Sequence, residues 1–172
     1  MESWERKRVG VIIRDRGITM KMTRIVFMLI FFICMGGGFC SASIPKEDLV
    51  INGITLEMDR AQVESKIGTS TGTEKYGKHV VYLYDRGQVK IIYVDNKVIR
   101  MKITDRAWKN IKGLHCGSIE NDISRIYGAP NIFGDEQWEK SYIYYSDKAD
   151  TITFIAIDGY IQEIVVEGKL EL

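Results

Sequence analysis

The sequence predicts an α+β fold of two tandem repeats, each a short helix followed by a three-stranded antiparallel meander. The two repeats share one sheet, with both helices on one face. Three observations carry this. Residues 51–68 recur at 111–128 with a constant offset of 60, which sets Gly53 against Gly113, Ile54 against Leu114, Val63 against Ile123 and Gly68 against Gly128. The offset also pairs Tyr82 with Tyr142 and Tyr84 with Tyr144, then grows to 63 and pairs Ile91 with Phe154, Asp95 with Asp158 and Ile103 with Val166. Finally, one three-stranded sheet under a two-turn helix buries too little surface to stand alone, whereas two side by side make a shared two-layer core.

In chain order, residues 1–43 form an N-terminal extension carrying an export signal or anchor. The apolar run 25–35 follows Lys21 and Arg24 and precedes Gly36-Gly37-Gly38 and the small residues Ser41, Ala42 and Ser43. Positive, apolar and small-residue regions in that order describe a secretory signal cut after Ala42 or Ser43. A start at Met20 or Met22 rather than Met1 gives that signal an ordinary length. The alternative is an uncleaved anchor, since 25–42 carries no charge and approaches the length of a membrane span. Either reading sends the body out of the cytoplasm, to the periplasm or the exterior. A lipoprotein site is a poor match, with Phe39 and Gly37 before Cys40 where a small residue and Leu are wanted.

Residues 44–110 form the first repeat and 111–172 the second, together one domain. Asp59 caps a helix with Gln62 three residues on, Val63 and Ile67 line its apolar stripe, and Gly68 ends it. In the second copy Ser118 is the expected cap, Ile119, Ile123 and Tyr127 form the stripe, and Gly128 precedes Ala129-Pro130. Residues 69–76 are polar and read as a loop. Strands are expected over 78–84, 88–94 and 98–103, then over 141–145, 151–157 and 160–166, joined by short turns such as Asp95-Asn96 and Asp158-Gly159.

The charge balance bounds the function. The N-terminal 43 residues hold seven of the 24 Lys and Arg and three of the 23 Asp and Glu, leaving the body at net −3. A mildly acidic body carries no electrostatic footprint for nucleic acid. Without residues 1–43 one cysteine remains, Cys116, so the body forms no internal disulfide. His115-Cys116 lacks the partners of a zinc site, and nothing at ligand spacing surrounds His79. Glu57, Asp59, Glu120 and Asp122 sit at helix starts, where the dipole favours them. Glu74-Lys75 and Glu139-Lys140 read as solvated loop charges. No nucleophile–base pair, phosphate loop, metal set or cofactor motif emerges, so the expectation is a non-enzyme without cofactor.

The aromatic residues hold the remaining signal. Both alternating sets of 89–94 and of 152–157 are largely apolar, so apolar side chains must also lie on the face away from the helices. Either loops or an N-terminal segment cover that face, or it is a binding surface. Tyr82 and Tyr142 recur at one position and read as structural, whereas Phe133 and Trp138, in the polar stretch 131–140, read as exposed contacts. The candidate partner-binding residues are Tyr93, Phe133, Trp138, Tyr145 and Phe154.

Gly-Ile or Gly-Leu, a capped helix ending in Ile-Gly or Tyr-Gly-Ala-Pro, Tyr-x-Tyr, and an apolar strand closing on Asp-Asn-Lys-Val or Asp-Gly-Tyr-Ile form a pattern. Over 51–166 it resembles the module of the β-lactamase inhibitor protein and of small outer-membrane lipoproteins that assist barrel assembly. Two tandem copies resemble the inhibitor more. The resemblance implies a concave sheet presenting aromatics, here Tyr93, Phe154 and their neighbours, to a protein partner. The expected function is thus an exported, non-catalytic protein-binding module. The alternative is an envelope accessory protein that touches the membrane only through its uncleaved N-terminal segment.

Overall fold

The computed structural model describes residues 43–169. The expected signal, its cleavage site, Cys34 and Cys40 lie outside the described residues. Helix α1 (Arg60–Ile67) begins as its sequence requires: the Gln62 amide donates to the Asp59 carboxylate at 2.8 Å, and the Asp59 amide donates to the Gln62 side chain at 2.9 Å. This reciprocal box satisfies two otherwise orphaned donors. Gly68 ends the helix at φ 86°, where a side chain would be strained.

Helix α2 (Asn121–Tyr127) starts differently from the expectation. Ser118 is not its cap; the Ser118 hydroxyl instead accepts the His115 amide at 3.1 Å. Glu120 occupies the cap position in helical geometry without capping. Ile119, expected on the apolar stripe, is 55% exposed and bridges to Tyr160. Ile123 is fully buried and Tyr127 packs against the core.

Eight strands make one antiparallel sheet: β1 (Gly72–Tyr76), β2 (His79–Tyr84), β3 (Val89–Val94), β4 (Lys97–Ile103), β5 (Ile132–Asp135), β6 (Lys140–Tyr145), β7 (Thr151–Ile157) and β8 (Tyr160–Glu167). Their order is β1-β2-β3-β4-β8-β7-β6-β5. Each meander therefore has four strands, not three. The additional strands, β1 and β5, fall in stretches read as loops from their polarity. Both are edge strands, paired on one side only, where burial asks for few apolar side chains. Glu74 and Lys75 accordingly belong to a strand, not a solvated loop.

The hairpin turns follow from their residues. Asp95 and Asn96 both take positive φ, 49° and 62°, and Asp158-Gly159 does the same at 52° and 80°. That is the backbone twist a two-residue hairpin needs. At the middle of the sheet β4 pairs with β8, setting Met101 opposite Val166 and Ile103 opposite Ile164, all fully buried.

Register assigns the two faces. One row across the sheet runs Tyr82, Ile91, Met101, Val166, Ile152, Tyr144. Arg60 of α1 lies over the Tyr82 ring at 4.4 Å, and Tyr127 of α2 packs on Tyr144 and Phe154 at 5.1 and 5.5 Å. Both helices therefore lie on this face and seal it. The joining segment is held by Asn110, whose side-chain oxygen accepts the Lys112 and Leu114 amides while its amide group donates to the Tyr127 hydroxyl.

Glu120 holds the start of α2 to the sheet. Its carboxylate accepts from the Tyr142 hydroxyl at 2.5 Å and from Lys140 at 3.0 Å. These two donors, Tyr142 first, hold the Glu120 carboxyl below its ordinary value. Lys140 is thus a structural partner, not a solvated loop charge.

Phe154→Ala, at a site with no exposure, is expected to cost about 3–5 kcal/mol in denaturant unfolding. Tyr142→Phe removes a charge-assisted hydrogen bond and is expected to cost about 1.5–3 kcal/mol near neutral pH. Because the folded-state Glu120 value is depressed, this contribution is complete above the ordinary carboxylate range and fades as pH falls through the folded value. Melting curves of wild type and variant should therefore converge in acid.

Candidate docking surface

The face turned away from the helices is defined by the alternate residues. One row runs Glu74, Val81, Ile92, Arg100, Glu167, Thr151, Tyr145, and the next Leu83, Lys90, Lys102, Val165, Thr153, Ile143. Lys90 stands directly opposite Lys102, a like-charge pair that repels unless neutralised. Carboxylates from neighbouring strands neutralise it. Lys90 pairs with Glu74 at 2.8 Å and Lys102 with Glu163 at 2.5 Å, while Arg100 and Glu167 stand 3.6 Å apart.

Between these charges Val81, Ile92 and Val165 are 6–8% exposed although no helix covers them. Long Lys and Arg stems lie over apolar neighbours while their heads stay wet. A cavity of about 290 Å³ opens here, with Val81 and Ile92 flanked by Lys75, Lys90, Arg100 and Lys102, with Glu74 as its one acidic lining residue. Tyr76, 65% exposed, also lines it. The face thus carries paired charges around a small apolar patch, rather than the broad greasy surface expected.

The five residues singled out from sequence fall in three places. Phe154 has no exposure; it lies beneath α2 against Tyr127 and Tyr144, not on an open face, which corrects its placement. Tyr93 is also on the helix side. It is half-buried, edge-on to Tyr82 at 5.3 Å, and its hydroxyl meets that of Tyr84 at 3.0 Å. Burial, first, pushes the Tyr93 phenol upward in pKa. Tyr145 does lie on the helix-free face, partly exposed.

Phe133 and Trp138 belong to the outer end of the sheet. Phe133, on edge strand β5, is 50% exposed and packs one side of its ring on Tyr142 at 5.1 Å. Trp138 stands 76% exposed in the β5–β6 turn, where Glu136 and Glu139 exchange backbone hydrogen bonds. The structure gathers neither with Tyr145 nor with the cavity. Sequence reasoning missed Lys90, Arg100 and Lys102. Their signal was the alternation along each strand that puts Lys90 with Ile92 and Arg100 with Lys102 on one face.

Cys116 is buried and donates to the Ile103 carbonyl at 3.4 Å. Burial pushes its thiol up to about 11, so it stays protonated and a poor nucleophile at neutral pH. Among the described residues no group of three His, Cys, Asp or Glu side chains could hold a metal ion, and no helix is long and apolar enough to cross a membrane.

Neither a protein-family model nor a curated protein matches the chain. Solved structures resemble its fold. A cysteine-rich secretory protein from Staphylococcus aureus subsp. aureus Mu50 shares 12% identity over 75% of this chain and 49% of its own, with TM-score 0.50. An extracellular protein containing an SCP domain from Bacillus anthracis str. Ames shares 9% over 76% and 47%, with TM-score 0.48. A DUF4309 family protein from Bacillus subtilis subsp. subtilis str. 168 shares 14% over 74% and 88%, with TM-score 0.47. The chain spans about half the length of the first two.

Proposed function

We propose that the chain is an exported, non-catalytic binding module of duplicated origin that docks a protein partner on its helix-free face and on the β5–β6 edge. The observation that carries this is the one-sided sheet. Two helices seal one face, and the other presents a cavity of about 290 Å³ with Lys90, Arg100 and Lys102 around an apolar patch. Large rings stand exposed near it at Tyr76 and at the far edge at Phe133 and Trp138. Tyr and Trp with Arg are the residues from which binding hot spots are made.

Duplication is supported by more than the sequence offsets. The strand order reads symmetrically outward from β4 and β8. The register shifts fall between Ile92 and Tyr93 and between Ile155 and Ala156, places that the longer offset makes equivalent. The resemblance to the β-lactamase inhibitor module agrees with a sheet used for protein recognition. Export rests on the apolar run 25–35 with its cationic lead and small-residue tail. The Staphylococcus aureus protein of similar fold is itself described as secretory. The uncharged length of 25–42 favours a second form of this reading, in which an uncleaved segment tethers the module to the envelope.

Two measurements test the proposal. Fractionation of cells should yield a shortened soluble product outside the cytoplasm, whereas a full-length membrane-bound product selects the tethered form. Retention in the cytosol rejects export altogether. Affinity capture from the envelope should lose its partner, by at least tenfold in recovery, when Trp138→Ala and Phe133→Ala are combined. Unchanged recovery removes those residues from the interface.

A further inference from the structure

The cavity on the helix-free face and the β5–β6 hairpin differ in the sign of the charges they present. Three cations that share its face line the cavity, Lys90, Arg100 and Lys102, against the single lining carboxylate of Glu74, with Val81 and Ile92 between them. The hairpin carries Asp135, Glu136 and Glu139 around the 76% exposed ring of Trp138. Its neighbouring cation, Lys140, is turned to Glu120 at 3.0 Å and leaves the tip acidic. A projecting indole between carboxylates thus has a counterpart in an apolar patch between ammonium and guanidinium groups.

The two ends of the sheet do not share this character. The positions equivalent to Lys75, Lys90, Arg100 and Lys102 under the two offsets hold Asp135, Thr153, Glu163 and Val165. Among the described residues the cationic cavity belongs to the β1–β4 end and the acidic tryptophan hairpin to the β5–β8 end. We propose, resting on the reading of the helix-free face as a docking surface, that this cavity receives the Trp138 hairpin of a second copy of the chain. The ring lies on Val81 and Ile92 beside Tyr76, and the hairpin carboxylates face Lys90 and Arg100. The pairs Lys90–Glu74 and Arg100–Glu167 are a third to a half exposed, and such pairs are weak, so they exchange partners readily. The contact is head-to-tail, leaving one unused hairpin and one unused cavity, so copies add in a row. It weakens with salt, because its ion pairs stand at the surface.

The test is sedimentation velocity of the full chain in mild detergent across a concentration series, with two variants. Trp138→Ala keeps the cavity and loses the hairpin. Lys90→Glu combined with Arg100→Glu keeps the hairpin and loses the cavity. Wild type should sediment faster with rising concentration, less so in high salt, and each variant alone should associate at least tenfold more weakly. An equimolar mixture of the two should stop at a two-copy species, since one hairpin and one cavity remain to be joined. Circular dichroism melts establish that each variant is folded.

A wild type whose sedimentation is independent of concentration overturns self-pairing, as does a mixture no more associated than its components. If such a wild type still captures envelope proteins in a manner that depends on Lys90 and Arg100, self-pairing falls and the docking face stands. If neither association nor capture responds to those residues, the docking face falls as well.

Discussion

The pairing of β4 with β8 is the seam on which the rest depends. Each four-stranded meander has an inner strand, and joining them places Met101, Ile103, Ile164 and Val166 beside one another with no solvent contact. Without that seam each helix would cover a small sheet with two open edges, and too little apolar area would leave water to hold it together. With it, Val63 and Ile123 close over one continuous layer. The seam also fixes which side is left bare, because alternation along a strand forces every neighbour into the same orientation.

Positions that the sequence offsets match differ in the contacts they make. The shorter offset matches Arg60 with Glu120 just as it matches Tyr82 with Tyr142. In the first half a guanidinium lies flat over the ring, and in the second a carboxylate accepts the phenol proton in a short hydrogen bond. Both ties fasten a helix start to a strand. Tyr84 and Tyr144 diverge similarly: one hydroxyl meets Tyr93, the other reaches the Gly128 carbonyl that ends α2. A common frame tolerates new polar partners wherever a ring can still fill the same space.

Much of this frame was legible in the residues. The six inner strands fall within a residue of their expected limits, because apolar alternation is strong where a strand is paired on both sides. β1 and β5 were not legible: Gly-Thr-Glu-Lys-Tyr carries little apolar signal, and Ile-Phe-Gly-Asp is too short to show an alternation. Ser118 looked like a cap because position and residue type agreed, yet the turn at His115 claimed its hydroxyl. Phe154 went to the wrong face although Thr151 and Thr153 marked the outward set. The charge pattern of the helix-free face was the least legible, since setting Lys90 beside Lys102 and Glu74 beside Lys90 depends on register across several strands, which no local pattern encodes.

The sealed position of Cys116 has a consequence for the life of the molecule. Its thiol is walled in beneath the Ile103 carbonyl, so within the described residues no sulfur chemistry accompanies acquisition of the native state. In the folded body an oxidising medium finds no second cysteine among the described residues with which Cys116 could pair. Among the described residues, folding is a search for packing and strand order, with no internal disulfide to wait for.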